Sequence, residues 1–124
     1  MIATLPAPPH LAAFRFDGSL TAEDLHVCGA EVERRLATQP RINLFCDLTR
    51  HDGATPEHVT ADIRAAFGRF DELDRCAIVT QQPWAEAIGA ARDAMFPRAE
   101  LRCFDASERE AAMAWASERP LRQR

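Results

Sequence analysis

The chain contains no lysine and no tyrosine: all fifteen of its basic side chains are arginine. The missing lysine excludes Schiff-base chemistry and the lysine of a Walker-type phosphate loop. No C-x-x-C pair occurs among Cys28, Cys46, Cys76 and Cys103, so neither a dithiol redox motif nor a zinc knuckle is present. Basic charge is also in deficit, with a formal net charge of −4. Nucleic-acid binding is therefore not expected, because no basic excess exists to displace counterions from phosphates. No apolar run reaches the length of a membrane span, and residues 1–6 lack the basic region and apolar stretch of a signal peptide, which predicts a cytoplasmic protein. There is no G-x-S-x-G elbow, no Gly-rich phosphate loop and no recognisable Cys–His spacing. Catalysis is not expected, and neither a metal nor a cofactor.

What is present reads as one α/β domain over residues 1–118 with a polar tail at 119–124. Residues 2–5 form a first strand closed by Pro6-Ala7-Pro8-Pro9, and residues 11–16 form a second ended by Asp17-Gly18, paired as an antiparallel hairpin. Ser19 or Thr21 caps a helix whose apolar face is Leu25, Cys28, Gly29, Val32 and Leu36, with Glu31, Glu33, Arg34 and Arg35 on the solvated side. Residues 42–46 are a buried central strand. Thr55-Pro56 opens a second helix carrying Val59, Ile63, Phe67 and Phe70. Residues 75–80 are another buried strand, and Pro83-Trp84 starts a third helix that runs through Ile88 to Met95. Residues 101–104 are the last strand, and Ser107-Glu108-Arg109-Glu110 is a capping box for a final helix through Trp115. The order is ββαβαβαβα, which calls for right-handed crossovers and a mostly parallel sheet behind an N-terminal hairpin.

The run Arg41-Ile-Asn-Leu-Phe-Cys-Asp-Leu-Thr-Arg-His-Asp-Gly53 is the most informative stretch. An apolar strand emerges there into polar residues, and ligands and regulatory events collect at that edge of an open α/β sheet. With Gly18-Ser19-Leu20-Thr21-Ala22-Glu23-Asp24 before it, and Arg102-Cys103-Phe104-Asp105 and Ala114-Trp115 after it, the chain resembles the SpoIIAA-like family of STAS-type domains. The resemblance implies a non-enzymatic regulatory or protein-interaction module of the anti-sigma-factor-antagonist kind. Asp47-Leu48-Thr49 is similar to the acid-x-hydroxyl signature of those domains, whose phosphorylated hydroxyl sits at the start of the following helix, where Thr55 stands here. The longer antagonist motif is absent, since Thr55 is followed by Pro56.

Thr49 and Thr55 are thus the phosphorylation candidates, with Asp47, His51, Asp52 and Gly53 as switch-loop candidates. The plainer reading makes Asp47 and Thr49 formers of the turn after the strand and Thr55 a helix cap. His58 and Asp62, one helical turn apart, join His51 and Asp52 in a polar set that matches no metal motif. A looser similarity to Sec14-type lipid-exchange domains implies, as the alternative function, a carrier or sensor of a small lipophilic ligand. Phe67, Phe70 and Trp84 are the apolar candidates for it, against ordinary core packing. Trp115 is expected to be half-exposed and to touch a partner. The four thiols are expected to be reduced and structural, with Cys28 the most reactive. Self-association is expected through the uncharged first strand, a sheet edge without protection.

Overall fold

A computed structural model of the chain describes residues 1–19, 21–51, 72–80 and 99–118. Five strands form one sheet in the order β1-β2-β3-β4-β5: β1 (Ile2–Thr4), β2 (Leu11–Gly18), β3 (Ile42–His51), β4 (Leu73–Val79) and β5 (Glu100–Phe104). β1 and β2 are antiparallel, with Ile2 opposite Phe16 and Thr4 opposite Phe14, as the proline-rich connection requires. β2 through β5 are mutually parallel. Helix α1 (Ala22–Leu36) and a terminal helix α2 (Arg109–Ala116), entered through a 3₁₀ turn at Ala106–Glu108, complete the described elements. This is the single, mostly parallel α/β sheet with an opening hairpin that the sequence predicts. The helices expected after Thr55 and Pro83 lie outside the described residues.

Alternation along the strands sends side chains to two separate cores. Phe14, Phe16, Ile42, Leu44, Cys46, Leu48, Cys76 and Ile78 meet Cys28 and Val32 of α1. Leu11, Ala13, Phe45, Ala77 and Val79 meet Ala112, Trp115 and Ala116 of α2. The apolar spacing of α1 is as expected, and Thr21 is its cap: Thr21 Oγ1 accepts from the Asp24 amide and Asp24 Oδ2 from the Thr21 amide, both at 3.1 Å. That backbone bond from Thr21 is the main reason the Asp24 carboxyl titrates below the usual range.

Three expectations are corrected. β3 does not stop at Cys46 but continues to His51, because Asp47, Arg50 and His51 still pair with β2 and Asp47 with Val79 of β4. Asp47 and Thr49 are therefore strand residues, not a turn beyond the strand. Glu31 and Arg35 are not on the solvated side. Their side chains are 11% and 12% exposed, and Arg35 donates to the Glu31 carboxylate on one side and to the Ala7 and Pro8 carbonyls on the other, pinning the β1–β2 connection. The terminal capping box is Asp105 with Glu108, two residues earlier than Ser107 with Glu110. Asp105 Oδ2 accepts from the Ser107 amide at 3.1 Å, and Glu108 Oε1 accepts from the Asp105 amide at 2.9 Å. An aspartate outcompetes a serine at this position because its charge also favours the helix dipole.

Candidate functional site

Between Asp47 and Arg50 the register on β2 slips by one residue: Arg15 faces Asp47, yet Asp17 faces Arg50. β3 thus carries a bulge at Leu48-Thr49, which takes the Thr49 amide out of the regular ladder. Asp47 Oδ1 accepts from that amide at 3.0 Å and from the Thr49 hydroxyl at 2.6 Å. The other oxygen, Oδ2, accepts from Arg109 Nε at 2.7 Å, and a second guanidinium nitrogen of Arg109 donates to the Thr49 hydroxyl at 2.9 Å. Carboxylate, hydroxyl and guanidinium close a three-membered ring of bonds. It joins the carboxyl end of β3 to the first residue of α2.

A cation at the first position of a helix opposes the helix dipole unless an anion accompanies it. Asp47 supplies that anion. Its side chain is only 5% exposed, while that of Arg109 is 47% exposed. Burial pushes the Asp47 carboxyl up, but the Thr49 hydroxyl and amide and the Arg109 charge together outweigh it. The net result is a pKa below the usual carboxylate value. Asp47 is ionised at neutral pH, and Thr49 Oγ1 spends its proton on it. A phosphoryl group on that oxygen would stand beside a carboxylate and against a guanidinium, so the ring is sensitive to added charge.

The same strand face holds the other end of α2. Asn43 is fully buried, and its side-chain amide donates to the Ala116 carbonyl at 2.8 Å and the Glu118 carbonyl at 2.7 Å. Its Oδ1 accepts from the Arg75 amide at 3.1 Å. Arg75 donates to the Trp115 carbonyl at 3.0 Å, and His10 Nε2 lies 2.6 Å from the Ser117 carbonyl. Since a carbonyl only accepts, that ring nitrogen carries a proton. The last two carbonyls of α2 and the two that follow it are thereby held by Asn43 and Arg75, near the starts of β3 and β4, and by His10, the residue before β2. Four strand steps from Asn43 to Asp47 and eight helical steps from Arg109 to Ser117 both span roughly 12–13 Å, so one strand face reaches both helix ends.

Of the residues singled out from the sequence, Asp47 and Thr49 come together in this ring. Asp52, Gly53, Thr55, His58, Asp62, Phe67, Phe70 and Trp84 lie outside the described residues. His51 ends β3 opposite Gly18, whose φ of +63° suits a residue without Cβ. Trp115 is not half-exposed. At 9% exposure it packs 6.0 Å from the Phe104 ring, with the Arg75 and Arg102 guanidinium groups 4.8 and 5.0 Å from its own ring centre. A helix end that lies over a strand face explains this burial. Asn43, Arg75, His10 and Arg109 were missed. The available signal was a polar residue interrupting Ile42-Asn43-Leu44 and a lone arginine in an otherwise acidic first turn.

The order of exposure of the four cysteines is not the expected one. Cys28 is 1% exposed, and burial, helped by the Asp24 charge, pushes its thiol up to about 12. Cys46 and Cys76 are fully buried, and burial raises both well above the usual thiol range. Cys103 on the edge strand is half-buried and the most accessible of the four. Among the described residues no helix is long and apolar enough to cross a membrane.

Comparison with known proteins bears on this arrangement. The family described as SpoIIAA-like matches residues 11–117, a span that includes Asn43, Asp47, Thr49, Arg75 and Arg109. Among solved structures, the chain is similar to an uncharacterized protein of the DUF3478 family with a SpoIIAA-like fold from Shewanella loihica PV-4. That likeness has 24% identity and a TM-score of 0.68, over 94% of this chain and 92% of the other, and it speaks for the fold. No curated protein matches the chain.

Proposed function

The chain belongs to the SpoIIAA-like family of STAS-type domains, and from that premise we propose that it is a non-enzymatic, cytoplasmic regulatory module. Its output surface is the carboxyl end of β3 with the start of α2, and Thr49 is its control point. The observation that carries this is the closed ring of Asp47, Thr49 and Arg109. A kinase that moved the γ-phosphoryl group of ATP to Thr49 Oγ1 would release the hydroxyl proton and leave ADP. The new phosphate would abolish the bond to Asp47, repel its carboxylate and compete for Arg109. The partner is a protein that reads whether the start of α2 is seated on β3. The half-exposed Arg109 and Thr49 are accessible to such a partner. A lipophilic-ligand role draws no support from the described residues, because the apolar space around Trp115 is filled by the protein itself.

The test compares Thr49→Val with Thr49→Glu in partner capture from the native host, each checked for folding. Thr49→Val removes two side-chain bonds but adds no charge. It should cost about 1–2 kcal/mol of stability and retain the partner captured by wild type. Thr49→Glu should lose that partner. Equal capture by both variants would overturn the proposed control point, as would a partner lost with Thr49→Val at unchanged stability.

A further inference from the structure

β5 is a sheet edge: among the described residues its only strand neighbour is β4. The Phe104 carbonyl accepts from the Thr80 amide at 2.9 Å, so Phe104 turns its backbone groups towards β4. By strand alternation Arg102 and Glu100 do the same, and the N–H and C=O of Leu101 point away from the sheet. On the α2 face, Glu100 and Arg102 stand side by side with Nε and Oε2 3.6 Å apart, their side chains 53% and 55% exposed. One acid and one base, two residues apart on one face of an edge, form a code that is complementary to itself.

We infer that β5 is the docking edge for a second copy of this chain, added antiparallel about a two-fold axis through Leu101. In that register the two Leu101 residues exchange both backbone N–H···O=C bonds. Glu100 of each protomer then faces the partner's Arg102 in the flanking close pairs, where opposed Cα atoms lie about 4.5 Å apart. A two-fold axis on Arg102 would set guanidinium against guanidinium, and an axis on Glu100 would set carboxylate against carboxylate. Like charges directly opposite destabilise a strand pair, and an axis on Cys103 would set Arg102 against Phe104 and forfeit both ion pairs, so the charges favour the Leu101 register. The result is a closed, isologous dimer with one continuous sheet. The opposite edge, β1, offers Ile2, Ala3 and Thr4, which carry no charge to fix a register. This inference is independent of the role proposed for Thr49.

The experiment is sedimentation equilibrium of the full chain at low salt, with circular dichroism to check folding. Wild type should associate to twice the chain mass of 13.8 kDa. Glu100→Arg and Arg102→Glu should each weaken the dimer about tenfold or more, since each sets like charges opposite in both flanking pairs. The double variant Glu100→Arg/Arg102→Glu restores complementarity and should dimerise. So should an equimolar mixture of the two single variants, which pairs Arg with Glu across the axis. A wild-type chain that stays monomeric at millimolar concentration overturns the proposal. Folded single variants that dimerise as wild type does, or a mixture and double variant that fail to recover, also overturn it. If Arg102→Glu does not fold without its contact to Trp115, Glu100→Arg against Glu100→Gln decides. Reversal must then weaken association more than neutralisation, and equal effects refute the register.

Discussion

Helix α1 lies on its face of the sheet through Cys28 and Val32, set among Phe14, Phe16, Leu44, Cys46 and Ile78. Helix α2 buries Ala112, Trp115 and Ala116 against the other face. An eight-residue helix is too short to persist on its own backbone bonds and depends on how its ends are seated. Polar attachments seat both of its ends: Asp47 and Thr49 hold Arg109, while Asn43, Arg75 and His10 hold the last carbonyls. Burial depends little on pH or on added charge, whereas a ring of carboxylate, hydroxyl and guanidinium depends on both. The lesson is that apolar contacts and charged bonds answer to different perturbations: the charged bonds of α1 cap its own first turn and hold the β1–β2 connection, whereas the ring ties α2 directly to β3.

The largest way to break the comparison is at Asn43. Asn43→Leu keeps the volume but leaves the Ala116 and Glu118 carbonyls and the Arg75 amide without their partner. It should cost about 3–4 kcal/mol in denaturant unfolding, since each stranded group forfeits roughly 1 kcal/mol or more. Val32→Ala on the α1 face should cost less, about 1–2 kcal/mol for the buried methyls and the space they leave. A smaller loss at Asn43 than at Val32 would mean that the polar ends of α2 are incidental.

A second perturbation acts through acid. Asp47 titrates below its ordinary value in the folded chain. Its contribution is therefore fully present above the usual carboxylate pKa, near 4, and is lost as pH falls through the lower folded value. Asp47→Asn should cost about 2 kcal/mol at pH 7, a figure kept modest because Arg109 is half-exposed. The gap between wild type and variant should close as pH drops below about 4. A gap that is constant from pH 7 to pH 2 would show that the charge of Asp47 contributes nothing.

Much of the fold was legible because its causes are local. Short apolar runs bounded by turn residues mark the strands, Ser19 or Thr21 marks the start of α1, and the proline-rich connection marks the hairpin. The attachment of α2 was not legible, because Asn43 and Ala116 are far apart in sequence and no local pattern records a long-range cap. The bulge at Leu48-Thr49 hid for a related reason. Asp-x-Thr reads as a turn wherever an amide needs a side-chain acceptor, and a bulge creates that need inside a strand. Helical spacing puts Glu31 and Arg35 towards solvent, yet the Ala7 and Pro8 carbonyls draw Arg35 inward.

The smallest expected effect concerns the thiols. In native labelling with a small alkylating reagent, Cys103 should react first, and Cys28, Cys46 and Cys76 only on unfolding, because burial keeps their thiols protonated. Early reaction of Cys28 would show that α1 is less firmly seated than its apolar face implies, and the contrast between the helices would shrink.

Hydrogen exchange read by mass spectrometry, on wild type and Thr49→Glu, tests the central contrast most directly. The charge placed beside Asp47 should raise exchange at the α2 amides about tenfold or more, as expected when a local unit loses its anchoring, and leave the α1 amides unchanged. Equal acceleration in both helices, or no change in α2, would contradict the account.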